Sequence, residues 1–232
     1  MKIIHSEIIK FFSNIWCVLG LIGTIIIAPL ILFLHGGYLS ADEVISISLR
    51  NLFIGQAGLT VFTSIFIGQE YMHSQLRTSL ITVPSRFKLF KTKFLILIMI
   101  SWLAGLGTSI ICLAVGAFKY QIHWTASLAH GALIILISWT LIVVITASLA
   151  VILRSQAASM AIMFSLILGF SQMIFGLTKL AKYLPDLAVM NLFLDHPQKL
   201  FLSGSTGLIV QFSWAFILTL LAFVMIEKRD VN

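Results

Sequence analysis

Charge is scarce in this sequence. Asp, Glu, Lys and Arg make up 10% of 232 residues, against 59% hydrophobic residues and a mean hydropathy of +1.07. A soluble domain carries about 25% charged residues. The composition therefore excludes a soluble fold and describes a polytopic membrane protein. Cysteine is scarcer still. Cys17 and Cys112 both lie inside apolar runs and no CxxC occurs, which excludes a disulfide framework. They read as small buried hydrophobes. The six histidines (His5, His35, His73, His123, His130 and His196) form no HExxH and no His-Cys cluster, so no metal centre is written here. Neither GxxxxGK[ST] nor any Gly-Lys dipeptide occurs, so the chain does not hydrolyse ATP through a P-loop. The +7 net charge reports membrane orientation first and is no nucleic-acid signal.

Six apolar stretches account for nearly all of the chain, which reads as one all-α transmembrane domain over 1–232. Residues 1–14 form an interfacial helix or an inward extension of the first span, with Ile4, Ile8, Phe11, Phe12 and Ile15 on one face. Its first apolar block exceeds a signal-peptide core and lacks a small-residue cleavage site, so no cleaved leader is expected. The spans are expected at about Ile15–Leu34, Arg50–Gln69, Phe94–Phe118, Gly131–Leu153, Ala157–Thr178 and Gly207–Ile226. Ser40 and Glu43 form a capping-box pattern before the second. Residues 179–205 are the longest loop, apolar enough for short interfacial or re-entrant helices.

Counting Lys and Arg with both termini inside gives ten cytoplasmic and five outer residues, which supports an N-in, C-in topology. The middles of the spans carry no charge. A buried charge there costs at least ~2.5–3.5 kcal/mol, a cost that proton-driven carriers accept. Gln56, Thr60 and Thr63 share one face of the second span, where they either line a polar path or hydrogen-bond a neighbouring helix. Two stripes of small or polar residues suit close helix packing: Ser101, Gly105, Thr108, Cys112 and Gly116 on the third span, and Ser165, Gly169, Gln172 and Gly176 on the fifth. Gly169-Phe170-Ser171-Gln172 lacks the final glycine of an intramembrane serine-protease motif, and the sixth span supplies no histidine base.

The polar island between spans two and three, residues 70–93, holds five of the fifteen Lys and Arg. Met72, Leu76, Leu80 and Val83 recur at helical spacing and give it one apolar face. Pro84 then closes the helix. Such a helix can dock in a groove of a soluble partner. Glu70 is placed to accept from first-turn N–H groups and to favour the helix dipole. Arg86 and the lysines from Lys88 to Lys93 either join that docking or anchor to lipid headgroups.

The island resembles the loop after the second span in ABC-2-type exporter permeases. The resemblance rests on Glu70-Tyr71, Leu76-Arg77-Thr78-Ser79-Leu80, Val83-Pro84-Ser85-Arg86 and Lys93, with Tyr183-Leu184-Pro185 after span five and Arg229-Asp230 after span six. It implies a membrane subunit of an ATP-binding-cassette exporter in the cell membrane. Two copies of a separate ATPase would bind ATP and magnesium, and this chain would hold no cofactor. A second permease, identical or homologous, would complete the path. The island would be the coupling helix, seated through Glu70, Tyr71, Met72, Leu76, Arg77, Leu80, Val83 and Arg86, and Arg77 would meet an acidic site on the ATPase. The path would include Gln56, Thr60, Thr63 and Gln172. By analogy with such permeases, the cargo would be a peptide, an antibiotic or another amphipathic compound, and self-immunity to antimicrobial peptides is one such role. Two other classes stay open: an ATP-independent carrier or channel, and a non-transporting membrane anchor.

Overall fold

The computed structural model of the chain describes residues 2–37, 40–72, 75, 79, 81, 85–121, 126–194 and 196–228. Among them there is no β-strand, and six helices are long and apolar enough to cross a membrane. Helix α1 (Lys2–Ser13) precedes span one, α2 (Ile15–Leu34). Asn14 separates them, and its side-chain oxygen accepts from Trp16 N at 3.0 Å to start α2. The far end of α2 is closed by span three. The Lys119 ammonium donates to the Phe33 and His35 carbonyls, and the Tyr120 hydroxyl reaches the Leu32 and His35 carbonyls at 3.2 and 2.8 Å. The last carbonyls of a helix lack intrahelical partners, and these side chains supply them beside the His35 N–H that already reaches Leu32.

Span two is α3 (Ala41–Gly68), continued by a 3-10 turn at Gln69–Tyr71. The helix begins at Ala41, where the expected capping box forms, and runs ahead of the expected span: Ser40 Oγ accepts from Glu43 N, and Glu43 Oε2 accepts from Ser40 N at 2.8 Å. Span three, α4 (Arg86–Tyr120), likewise starts before Phe94, where Ser85 Oγ accepts from Lys88 N at 3.3 Å. Span four is α5 (Ala126–Leu153) and span six is α8 (Gly204–Lys228). Span five was expected to be continuous, but it is two helices, α6 (Gln156–Ser165) and α7 (Ser171–Leu177), joined by a π-helical turn at Leu166–Phe170. Gly169 takes φ 126° inside that turn, which a residue with a Cβ resists. Between spans five and six, two 3-10 turns (Lys179–Tyr183 and Leu187–Leu192) bury Leu187, Ala188 and Val189 and cap the bundle at one end.

Span two is the axis of the bundle. Its most apolar window is 78% buried, against 17% for span five. In lipid, close fit drives helix association more than apolar burial does. Gly58 is where spans one and two meet most closely, and a Cβ there would collide with the Thr24 side chain and crowd Thr24 N and the Gly20 carbonyl. Trp139 of span four is fully buried and lies against Gly55 of span two and Gly105 of span three. The small-residue stripe on span three faces inward as expected. That on span five does not: Ser165, Gln172 and Gly176 are exposed.

Helix α1 rests on the bundle by the Ile8–Phe11 edge of its expected apolar face, turned toward Glu7. Phe11 and Glu7 are buried, whereas Phe12 and Ile15 stay exposed. Phe11 makes edge-on contacts with Phe62 and Phe66 of span two at 5.7 and 5.3 Å. Glu7, one turn earlier, turns in with it because a lysine waits there. Gly58→Val should overpack the span one–span two crossing and cost about 1–3 kcal/mol. Thermal melts in detergent should show a lowered transition, and an unchanged one would mean that the two helices separate freely there.

Candidate functional site

Four charged groups meet where α1, the end of span two and the start of span three converge. Lys93 is fully buried, and its Nζ lies 2.6 Å from Glu7 Oε2, 3.0 Å from Glu70 Oε1 and 4.0 Å above the Phe66 ring. Both carboxylates approach the Lys93 ammonium as close ion pairs. Lys10 Nζ bridges the same acids from the outside, at 2.7 Å from Glu7 and 3.6 Å from Glu70, and donates to Ser79 Oγ at 3.1 Å. Beside it, Asn14 Nδ2 donates to Gln69 Oε1 at 3.1 Å. Two acids and two bases cancel, which is the condition for taking them out of water together. Burial alone would raise the Glu7 carboxyl, but the Lys93 and Lys10 charges outweigh it and hold Glu7 below the ordinary glutamate range. Burial alone would likewise lower Lys10. The hydrogen bond to Glu7 and the charge of Glu70 overcome it and lift the ammonium above the usual lysine range.

This junction revises the reading of two sequence candidates. Glu70 is buried, 1% exposed, and its carboxylate pairs with Lys93 and Lys10, whereas most of the island it was expected to cap lies outside the described residues. Lys93 does not reach headgroups, whereas Lys88 and Lys91 are exposed. Tyr71 stacks on Phe90 at 6.2 Å, Met72 is exposed, and Arg86 Nη1 donates to the Ile226 carbonyl of span six at 3.3 Å. Leu76, Arg77, Leu80 and Val83 lie outside the described residues. A shallow surface depression borders the junction, lined by Lys10, Ser13, Asn14, Ile15, Gln69 and Gln75.

Gln56, Thr60 and Thr63 come together inside the bundle, all fully buried. Thr60 Oγ1 donates to the Ala57 carbonyl at 2.7 Å, but both amide atoms of Gln56 and the Thr63 hydroxyl have no partner. Gln172 is exposed on span five and does not join them.

The sequence reading passed over Glu7 and Asp186. Glu7 is the one acidic residue before Asp42 and stands three residues from Lys10, a spacing at which helical charges pair. Asp186 lies at the capped end, fully buried. Its Oδ2 contacts Ser171 Oγ, which also donates to the Leu166 carbonyl at 2.9 Å, within the π-helical turn of span five. Gln211 of span six donates to the neighbouring Pro185 carbonyl at 3.1 Å, and Trp214 Nε1 donates to the Tyr183 carbonyl at 2.8 Å. Asn191 closes the cap by donating to the Gln198 and Leu202 carbonyls and accepting from Gln198 N at 2.9 Å. Among the described residues, no group of three or more His, Cys, Asp or Glu could hold a metal ion.

The architecture is that of a multi-pass membrane protein whose six helices join a buried ion junction at one end to a polar cap at the other. No protein-family model matches the chain, and no curated protein matches it.

Lys93→Met should strand two buried carboxylates and cost about 3–5 kcal/mol. Adding Glu7→Gln and Glu70→Gln should restore most of the loss in the same unfolding assay. Acid should act similarly. The stability contributed by Glu7 is present above the ordinary glutamate pKa and is lost as pH falls through its depressed value. Gln56→Leu removes an unpartnered buried amide and should stabilise by about 1–3 kcal/mol. A lowered melting transition would show instead that the amide is satisfied in the native membrane.

Proposed function

We propose that this chain is the membrane subunit of an ATP-binding-cassette exporter of the ABC-2 type. It is driven by a separate ATPase pair and oriented with both termini in the cytoplasm. The observation that carries the reading is the ion junction. Lys93 and Glu70 stand at the two roots of the 72–85 segment, and Glu7 and Lys10 tie both roots to α1. A push on that segment reaches spans one, two and three as one body. This is what a coupling helix between a soluble motor and a membrane path requires. The exposed Ser165, Gln172 and Gly176 on span five suit a second permease subunit, since small residues let helices approach closely. An amphipathic compound, such as a peptide or an antibiotic, fits a path formed between such subunits.

A second reading, an ATP-independent carrier, is favoured by one observation: the buried carboxyl of Asp186, an ionisable group of the kind proton-coupled carriers use. Affinity purification in mild detergent after crosslinking separates the two. The exporter reading expects a stoichiometric P-loop ATPase among the co-purifying chains. It also expects Leu76→Asp and Leu80→Asp to abolish that association while the protein stays in the membrane. Recovery of the chain alone, or full association by both variants, would overturn the coupling assignment.

A further inference from the structure

Ser171 faces two acceptors with one proton to give. Ser171 Oγ sits within hydrogen-bond distance of two oxygens, the Leu166 carbonyl at 2.9 Å and Asp186 Oδ2. A serine hydroxyl has a single proton to donate. With Asp186 ionised, Ser171 gives that proton to the carboxylate, and its contact with the Leu166 carbonyl is left without one. A neutral carboxylic acid fills both: the Asp186 O–H donates to Ser171 Oγ, and the Ser171 O–H donates to Leu166.

The surroundings agree. Asp186 is fully buried, and Oδ1 has no hydrogen-bond partner. A bare oxygen is far less costly on a neutral acid than on a carboxylate. No cation faces the group from the elements packed around it, among the described residues. Span six presents Gln211 and Trp214, and α7 contributes Ser171 and the exposed Gln172. The Leu187–Leu192 turn carries no charge. In the preceding turn, the Lys179 and Lys182 ammoniums lie over the Phe175 and Tyr183 rings, and neither forms a salt bridge with Asp186. Burial pushes the Asp186 carboxyl up, beyond what its polar contacts take back.

We propose that Asp186 is a proton-binding site whose neutral acid, through Ser171, clasps the cap to the break in span five, so that opening of the cap and release of the proton are linked. The inference rests on neither functional reading above. It assigns a ligand, the proton, to a group outside the ion junction. Water would favour the free carboxylate, and it is kept out while the Lys179–Tyr183 turn lies against α7 and the Leu187–Leu192 turn against span six.

The test is infrared spectroscopy of the purified protein in lipid vesicles. At neutral pH a carboxylic-acid C=O band should be present, absent from Asp186→Asn, and replaced by a carboxylate band as pH rises. Asparagine keeps a donor for Ser171 Oγ, so that variant should fold with the clasp closed at every pH. Relative to it, the wild type should lose thermal stability as pH climbs from the ordinary aspartate range to the raised value, and then level off. This is the direction for a group that binds its proton more tightly when folded. If Asp186→Asn does not accumulate, Ser171→Ala serves. Removing the acceptor of the acid O–H should shift the band, and an unmoved band would overturn the assignment. A carboxylate band alone at neutral pH, or parallel stability curves for wild type and Asp186→Asn, would overturn it too.

Discussion

The structure depends on a lysine held without water between two acids. A buried ammonium is tolerable only while its countercharges stay within a few ångströms, and here those countercharges come from different parts of the chain. Glu7 lies on the amino-terminal helix and Glu70 at the end of the second span. Neutralising Lys93 and burying the Phe11 edge of its apolar face together set the position of α1. Phe12 and Ile15 are left toward lipid, and Glu7 is drawn to the lysine. Phe11 packs against Phe62 and Phe66 in that placement.

The opposite end solves the problem of buried polarity with hydrogen bonds in place of charge pairs. Asn191 closes the turn from Gln198 to Leu202, Gln211 holds the Pro185 carbonyl, and Ser171 links Asp186 to the Leu166 carbonyl of the π-helical turn. Span two runs between the two ends, and the fit of Gly58 to span one and of Gly55 to Trp139 keeps its neighbours close. The two ends differ in kind. One exchanges salt bridges among four charges, whereas the other turns on a single titratable group.

The spans were legible in the sequence because length and hydropathy alone identify them, and Ser40 with Glu43 identified the start of the second helix. The break in span five was not legible. Leu166–Phe170 is as apolar as its flanks, and Gly169 within a membrane helix is unremarkable until its backbone turns left-handed. Glu7 on the inward edge of α1 was missed because hydrophobic periodicity ranks a glutamate as outward-facing. Only the distant Lys93 reverses that ranking, and a pairing across that separation has no local signature. Asp186 was hidden in the same way: an acid in a loop reads as solvated until the loop is seen folded onto the bundle. The inward stripe on span three was readable from small residues alone, but the similar stripe on span five faces out. Composition identifies a packing face and leaves open what it packs against.

Span five is fastened at its ends and scarcely covered between them. Gly68 of span two lies against Gln156 at its start, and Ser171 joins Asp186 beyond its break. As a straight rod its 22 residues would reach about 33 Å. With a break at Leu166–Phe170, its reach across the bilayer is set by the angle between two short rods and not by its residue count. A thinner or thicker hydrocarbon layer is then met by bending at one place. That bend moves α7, and with it the hydroxyl that holds the cap, so the depth of the surrounding lipid becomes a mechanical input to the far end of the molecule.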